Sequence, residues 1–140
     1  MIYYAVIDTN VIVSSFLKKG SIPDQVVSLA LDGPIIPLIH EDILKEYKDV
    51  LLRNKFDLPE QDINNFISDL VDRAHFLDTT KTDEMFIDQK DIVFYEITLT
   101  AKKEKDAYLI TGNKKHFPNE PFIVTPREML DIIENAKASD

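Results

Sequence analysis

The 140-residue chain contains no cysteine, which excludes both a disulfide framework and a thiolate zinc site. It also contains no apolar run near the roughly 18 residues that a membrane-spanning helix needs. No basic segment precedes the first apolar run, and Asp8 interrupts that run, so we expect no secretory signal. Together these absences favour a cytoplasmic protein with no membrane segment.

Basic residues are scarce, because 16 Lys and Arg stand against 25 Asp and Glu, for a net charge of −9. A protein that coats nucleic acid binds phosphates mainly through Lys and Arg, so the composition disfavours that class. The composition does not exclude an enzyme that cleaves nucleic acid, because a bound cation reverses the local charge of carboxylates gathered in a metal site. An acidic surface also suits a basic protein partner.

Short apolar strands alternate with amphipathic helices along the chain, with no internal repeat, low-complexity tract or linker. Strands are predicted at residues 2–7, 34–39, 75–77, 107–110 and 122–124. Helices are predicted at residues 10–17, 21–33, 41–53, 59–74, 88–103 and from 126 onward. This alternation is typical of an α/β fold with a largely parallel sheet. We expect a single domain over residues 1–140, with residues 136–140 frayed.

Two of the predicted strands are followed directly by polar turns. Asp8 follows the first strand, and Thr111-Gly112-Asn113 follows the strand at 107–110. In an open parallel sheet, ligands bind at the carboxyl ends of the strands, so these turns are candidates to meet at one site. Asp8 also has a structural interpretation, since an Asp between a strand and a helix is a good N-cap.

Three further carboxylates are candidates for the same site. Glu46 lies close to the apolar seam of the predicted helix 41–53, although a helical Glu is usually only solvated. Asp88 and Asp91 lie at the predicted start of helix 88–103, where the helix dipole also favours acids. Each carboxylate has a structural explanation on its own, but the topology would bring the set to one edge of the sheet.

Four segments together resemble the PIN domain family, in its branch of toxins from bacterial and archaeal toxin–antitoxin pairs. They are Asp8-Thr9-Asn10 after an apolar strand, Glu46 in a helix that continues Tyr47-Lys48-Asp49-Val50-Leu51, the Asp88-x-x-Asp91 helix start, and Ala107-Tyr108-Leu109-Ile110-Thr111-Gly112-Asn113. The resemblance extends from Ile2 to about Met129. It implies a PIN-like three-layer α/β/α sandwich with a central, mainly parallel sheet of about five strands.

The resemblance also implies an endoribonuclease that hydrolyses RNA phosphodiester bonds with Mg²⁺ or Mn²⁺. By position, Asp8, Glu46 and Asp91 match the acidic triad of the family, which makes them the candidate metal ligands and catalytic residues. Asn113 falls where many members have a fourth acid, so it is a candidate catalytic residue that departs from the family pattern. Asp88 is a candidate for an additional ligand.

The toxin branch further implies two protein partners. One is a small antitoxin protein, and the other is a second copy of the chain in a homodimer. The apolar helical segments at residues 11–17 and 63–71 are the candidate dimer interfaces.

Carboxylates suit the expected chemistry, because Mg²⁺ and Mn²⁺ are hard cations that prefer oxygen ligands. Three carboxylates could hold one ion, or two ions about 3.5–4 Å apart once a substrate phosphate bridges them. Such a site needs no Ser, Cys or His nucleophile.

Other polar residues of the two turns are candidates for supporting roles. We expect Thr9 and Asn10 to orient the Asp that precedes them, with a simple turn or helix cap as the alternative. Thr111 is expected to hydrogen-bond a ligand carboxylate or a phosphate. Lys114 and His116 supply positive charge that could contact the scissile backbone, although such a turn is more often solvated surface.

Two other functions are compatible with the residues. A phosphatase or phosphotransferase of the haloacid-dehalogenase-like kind would use Asp8 as a nucleophile, but it wants a second Asp where the chain has Asn10. A non-catalytic PIN-like module that binds RNA or protein is the stronger alternative, because of Asn113 and the acidic surface. Metal-dependent cleavage that is lost on Asp8→Ala would separate the enzyme from the module.

Overall fold

The structure is a computed structural model that describes residues 1–139. Its strands are β1 (Tyr3–Ile7), β2 (Ile35–Ile39), β3 (His75–Phe76), β4 (Ala107–Ile110) and β5 (Ile123–Val124). Its helices are α1 (Thr9–Leu17), α2 (Ile22–Asp32), α3 (Glu41–Leu51), α4 (Glu60–Arg73), α5 (Ile92–Lys102) and α6 (Pro126–Ser139). Three single 3-10 turns, at Asn54–Phe56, Gln89–Asp91 and Lys114–His116, connect some of these elements.

The five strands form one sheet in the order β3-β2-β1-β4-β5, and every neighbouring pair is parallel. Strand β1 lies in the centre, and its last residue, Ile7, is in register with Ile110 at the end of β4. The polar turns that follow these two strands therefore leave the sheet side by side. The helices flank this sheet in an α/β/α sandwich, so the predicted fold class is confirmed.

The central strands are apolar on both faces, as expected when helices cover both sides of a parallel sheet. Ala5, Val6, Leu109 and Ile110 are all fully buried. Helix α3 completes one part of the core with Ile43, Tyr47, Val50 and Leu51, which recur at the spacing of one helical face. This spacing decides the direction of the neighbouring Glu46, which lies at the border of the buried face.

The structure corrects one of the predicted boundaries. Helix α5 begins at Ile92 and not at residue 88, because Asp88 instead caps the 3-10 turn that precedes it. Helix α6 extends through Ser139, and the fraying predicted for residues 136–140 stays a prediction; residue 140 lies outside the described residues. Within residues 1–139 no helix is long and apolar enough to cross a membrane.

The two helices proposed for a dimer interface place only part of their apolar surface inside the monomer. Val11 and Ile12 of α1 and Ile63, Phe66 and Leu70 of α4 are buried in the core, whereas Leu17 at the end of α1 is 55% exposed. The choice of these helices as the interface stays a prediction. The homodimer itself stays a prediction.

Candidate metal-binding active site

A pocket of about 370 Å³ opens at the carboxyl ends of β1 and β4. It is lined by the three carboxylates predicted from the sequence: Asp8, Glu46 and Asp91. Asn113 and His116, from the turn after β4, also line it. Segments far apart in the chain thus supply one acidic pocket.

Asp8 lies directly after β1, and its side chain is only 6% exposed. Its backbone N–H donates to the carbonyl of Ile110 at 2.9 Å, which extends the pairing of β1 with β4 by one residue. Its Oδ2 accepts a hydrogen bond from the Thr111 hydroxyl at 2.7 Å. Asp8 occupies the N-cap position of α1, but its side chain makes no capping hydrogen bond. The carboxylate is therefore directed to the neighbouring strand end, and the N-cap interpretation is wrong.

Glu46 reaches the pocket from α3, and the next residue fixes this helix against the sheet. The Tyr47 ring is fully buried, and its hydroxyl donates to the carbonyl of Ile7 at the end of β1. This bond joins the residue after Glu46 to the residue before Asp8. The sequence does not indicate this contact, because an aromatic residue at helical spacing gives no sign of a polar partner.

Asp91 ends the 3-10 turn before α5 and is half-buried in the pocket wall. Its Oδ2 lies 3.3 Å from Nδ1 of His116, yet this atom is buried without a hydrogen bond of good geometry within residues 1–139. Asp88 accepts a hydrogen bond from the backbone N–H of Lys90 at 3.0 Å, which stabilises the turn. Asp88 lines the same pocket, and its role as an additional ligand stays a prediction.

The polar turn after β4 is held to α1 by side-chain bonds. Thr111 Oγ1, which donates to Asp8, also accepts from the backbone N–H of Asn113 at 3.0 Å. Asn10 Oδ1 accepts from the backbone N–H of Gly112 at 3.2 Å. Asn10 therefore fixes the turn rather than Asp8 itself, whereas Thr111 contacts the carboxylate directly. The hydroxyl of Thr9 lines the pocket and is buried without a hydrogen-bond partner in the described part of the chain.

Lys114 and His116 are separated by the structure. His116 lies in the pocket beside Asp91, but the Lys114 ammonium lies 3.2 Å from Glu128 of α6 and outside the pocket. Lys114 does not line the pocket, and its predicted contact with the scissile backbone stays a prediction. Lys90 lines the pocket instead. The sequence could have indicated Lys90 as a pocket residue, because it lies between the candidate site residues Asp88 and Asp91.

The pocket also has an apolar side that the sequence did not indicate. Four side chains form it, from α1, α3, the turn after α3, and α5: Val13, Val50, Phe56 and Phe94. Three of them read as ordinary core residues of helices, and Phe56 lies outside any periodic segment.

Burial is the largest cause of the raised pKa values of Asp8 and Asp91. It raises the pKa of Asp8 from 3.8 to about 6, with the Asp91 charge adding to the rise and the Thr111 hydrogen bond opposing it. Burial also raises the pKa of Asp91, with Asp88 as the next contributor and His116 opposing. Mutual repulsion of the carboxylates acts in the same direction, but removal from water is the larger cause.

The donor atoms fit a divalent cation, because carboxylate oxygens are the ligands that Mg²⁺ and Mn²⁺ prefer. The buried Oδ2 of Asp91, which lacks a well-aligned hydrogen bond, supplies an oxygen with free coordinating capacity. Within residues 1–139, however, no three Asp, Glu or His side chains are already arranged so that they could hold a metal ion. One or two of the pocket carboxylates are enough for Mg²⁺, because this ion usually keeps several waters in its coordination shell.

The fold and the pocket define an α/β protein with an acidic site at the carboxyl edge of a parallel sheet. A protein-family model described as PIN domain matches residues 4–115, so the chain belongs to the PIN domain family. PIN domains are generally nucleases that use divalent metals, which assigns hydrolysis of nucleic acid as the general activity. A comparison with curated proteins gives no match.

Proposed function

We propose that the chain is a Mg²⁺- or Mn²⁺-dependent endoribonuclease and the toxin of a toxin–antitoxin pair. The observation that carries the proposal is the meeting of Asp8, Glu46 and Asp91 in one pocket at the strand ends. Burying carboxylates without a cation raises their pKa values and so lowers the stability of the folded protein near neutral pH. A bound ligand would compensate for this loss.

In this proposal Asp8, Glu46 and Asp91 hold the metal. A bound Mg²⁺ or Mn²⁺ supplies positive charge that polarises the phosphodiester and lowers the pKa of water. Thr111 keeps Asp8 oriented through its 2.7 Å hydrogen bond. The Asn113 side chain offers a neutral amide to the substrate or the metal, where a fourth acid would add charge.

The activity is tested by cleavage of a panel of RNAs with Mn²⁺, Mg²⁺ or EDTA. Asp8→Asn, Glu46→Gln and Asp91→Asn should each lower the cleavage rate by about a hundredfold or more, since the cation supplies several kcal/mol of transition-state stabilisation. Asp69→Asn is the matched control, because Asp69 is an exposed acid on α4 outside the pocket. Cleavage that persists in all three pocket variants would remove the proposal.

The alternative is a PIN-like module that binds RNA or protein without cutting. It is favoured by Asn113 at the fourth position and by carboxylates that are not yet arranged around a metal. Binding of RNA without cleavage under any metal condition would select this alternative over the nuclease.

The partner proposals depend on the acidic character of the chain. Its net charge of −9 suits a small basic antitoxin. Expression of the chain alone should arrest growth, and Asp8→Asn should relieve the arrest. Light scattering at micromolar concentration tests the homodimer, which a monomer would overturn. Normal growth of cells that express the chain without an antitoxin would reduce the proposal to a nuclease without a toxin role.

A further inference from the structure

The apolar side of the pocket is not explained by metal binding. Oxygen ligands and phosphate contacts account for Asp8, Glu46, Asp91 and Asn113, but they do not require a hydrocarbon surface. A pocket with an apolar surface beside a few polar groups is the usual form of a small-ligand site. At about 370 Å³ it has room for a group larger than a phosphate and its cation.

Phe56 is the member of this surface that the core does not explain. Within residues 1–139 it belongs neither to the buried core nor to the apolar side chains packed against that core. It is half-buried and lines the pocket from the turn Asn54–Phe56. Val13 and Phe94 belong to helices and pack with the core, and Val50 of α3 is itself buried.

The backbone around Phe56 is held in an uncommon shape. The next residue, Asp57, has φ of 49°, and it is the one non-glycine residue with positive φ in the described chain. Its N–H donates to the Asn54 carbonyl at 3.1 Å and closes the turn. Unfavourable backbone conformations of this kind tend to persist where they position a functional side chain.

We propose that Phe56 stacks on an unpaired base of the RNA, next to the phosphate that the carboxylates bind. This inference rests on the proposed nuclease function and names the residue that binds the base. A benzyl ring beside a nucleotide-sized space suits the flat face of a base, and stacking tolerates every base because each has such a face. A base held in a duplex cannot present this face, so the nucleotide must be unpaired.

The surroundings of the pocket supply a path for the adjoining strand. Lys90 lines both this pocket and a neighbouring depression that also contains Lys45 and Arg53. Arg53 directly precedes the Phe56 turn. These three cations stand among three carboxylates of the same depression, so they give local phosphate contacts rather than a broad basic surface.

The test compares Phe56→Ala, Phe56→Leu and Phe56→Tyr with a matched control, Phe76→Ala. Phe76 is an exposed phenylalanine, 54% accessible on the edge strand β3, and it lies outside the pocket. Binding of a short labelled single-stranded RNA is measured in Ca²⁺, and cleavage of the same RNA is measured in Mn²⁺. Thermal melting checks that every variant is folded.

Loss of the ring should weaken binding and lower kcat/KM by about ten- to a hundredfold in Phe56→Ala. Phe56→Tyr should resemble the wild type, because it keeps the ring. Phe56→Leu should resemble Phe56→Ala, because it keeps apolar bulk without the ring. Phe76→Ala should match the wild type.

A second measurement leaves the protein unchanged and removes the base instead. A single abasic nucleotide is moved step by step through a substrate with one cut site. One position next to the cut should lower wild-type kcat/KM by about ten- to a hundredfold, and the same nucleotide should have little further effect in Phe56→Ala.

The outcomes separate the two proposals. Cleavage that is equal in Phe56→Ala and Phe76→Ala, with no sensitive abasic position, overturns the stacking role and leaves the nuclease intact. Phe56-dependent binding of RNA without cleavage removes the nuclease and supports the stacking role. Failure to bind or cut any RNA overturns both.

Discussion

Asp8 occupies the N-cap position of a helix, but its side chain bonds a residue that is distant in sequence. Its position before α1 predicts an N-cap, but its carboxylate bonds Thr111, which is 103 positions away in sequence. Local rules describe the backbone around a residue, whereas the direction of a side chain is decided by distant neighbours. In the sequence, Asp8 is indicated as a site residue by its place at the end of a predicted strand and by the resemblance of the four segments to a family.

Asp8→Asn is expected to stabilise the metal-free protein near neutral pH. The folded protein holds the Asp8 pKa at about 6, against 3.8 without the fold. The folded state therefore binds more protons between these values, so its free energy of unfolding falls as pH rises through them. An amide cannot ionise and still has an oxygen that accepts from Thr111. We expect a gain of roughly 2 kcal/mol at about pH 7.

Urea unfolding in EDTA at about pH 5 and about pH 7 measures this gain. The wild type should be more stable at the lower pH by about 1 kcal/mol, and Asp8→Asn should lose most of that difference. Millimolar Mn²⁺ should raise the Tm of the wild type but not of Asp8→Asn. A variant that is less stable in EDTA and keeps the full Mn²⁺ shift would show that Asp8 is structural.

Asn113→Asp should have the opposite effect. A fifth carboxylate in the pocket repels its neighbours, so the metal-free protein should lose stability above about pH 6. Metal binding should tighten, which calorimetric titration with Mn²⁺ measures. Asn119→Asp adds the same charge on an exposed residue outside this pocket and should change neither quantity. Unchanged metal affinity in Asn113→Asp would place residue 113 outside the ligand set.

At the scale of elements, helix α3 is fixed to the centre of the sheet by one buried hydroxyl. Tyr47 donates to the Ile7 carbonyl, and Glu46 and Asp8 are the neighbours of the two bonded residues. The arrangement of two site carboxylates therefore depends on a contact that neither of them makes.

Tyr47→Phe should lower both stability and metal affinity. The change leaves the Ile7 carbonyl without this donor in a buried place, which costs about 1–2 kcal/mol. Metal affinity should fall by about tenfold, as for residues that orient a ligand without binding the metal. Tyr108→Phe is the control, because Tyr108 lies on β4 outside the pocket. Metal affinity that is unchanged in Tyr47→Phe would show that the bond only stabilises the fold.

Periodic segments were predictable, and segments fixed by tertiary contacts were not. Strand β4 and helix α3 follow from apolar spacing alone, because burial of one face specifies them. Helix α5 begins four residues after Asp88, since that side chain stabilises a 3-10 turn that helical periodicity does not reveal. Phe56 and Lys90 entered the site unpredicted, because their positions depend on turns whose course follows the packing of the helices.

At the scale of the whole molecule, the negative charge would make a bound cation the central element of RNA binding by the proposed nuclease. With a net charge of −9 and several carboxylates in the pocket, the metal-free protein repels phosphate. Mn²⁺ reverses the local sign in the pocket without changing the rest of the surface.

Mn²⁺ should therefore raise RNA affinity far more than Na⁺ at equal ionic strength. Screening alone weakens long-range repulsion only modestly, whereas a bound cation contacts the phosphate directly. Fluorescence anisotropy with Asp69→Asn as control measures this difference. Equal affinities in the two salts would mean that RNA binds elsewhere on the surface.

Strand β1 lies at the centre of the sheet, so the part of the pocket next to β1 should open less readily than the part formed by the turn before α5. The amides of β1 exchange with solvent only when β2 or β4 detaches, which approaches global unfolding. Asp91, in contrast, is the last residue of a single 3-10 turn near the surface. We therefore expect the end of β1 to be rigid and the turn that carries Asp91 to move more easily. Hydrogen exchange should show Mn²⁺ protecting residues 88–92 strongly while leaving residues 4–8, already protected, almost unchanged.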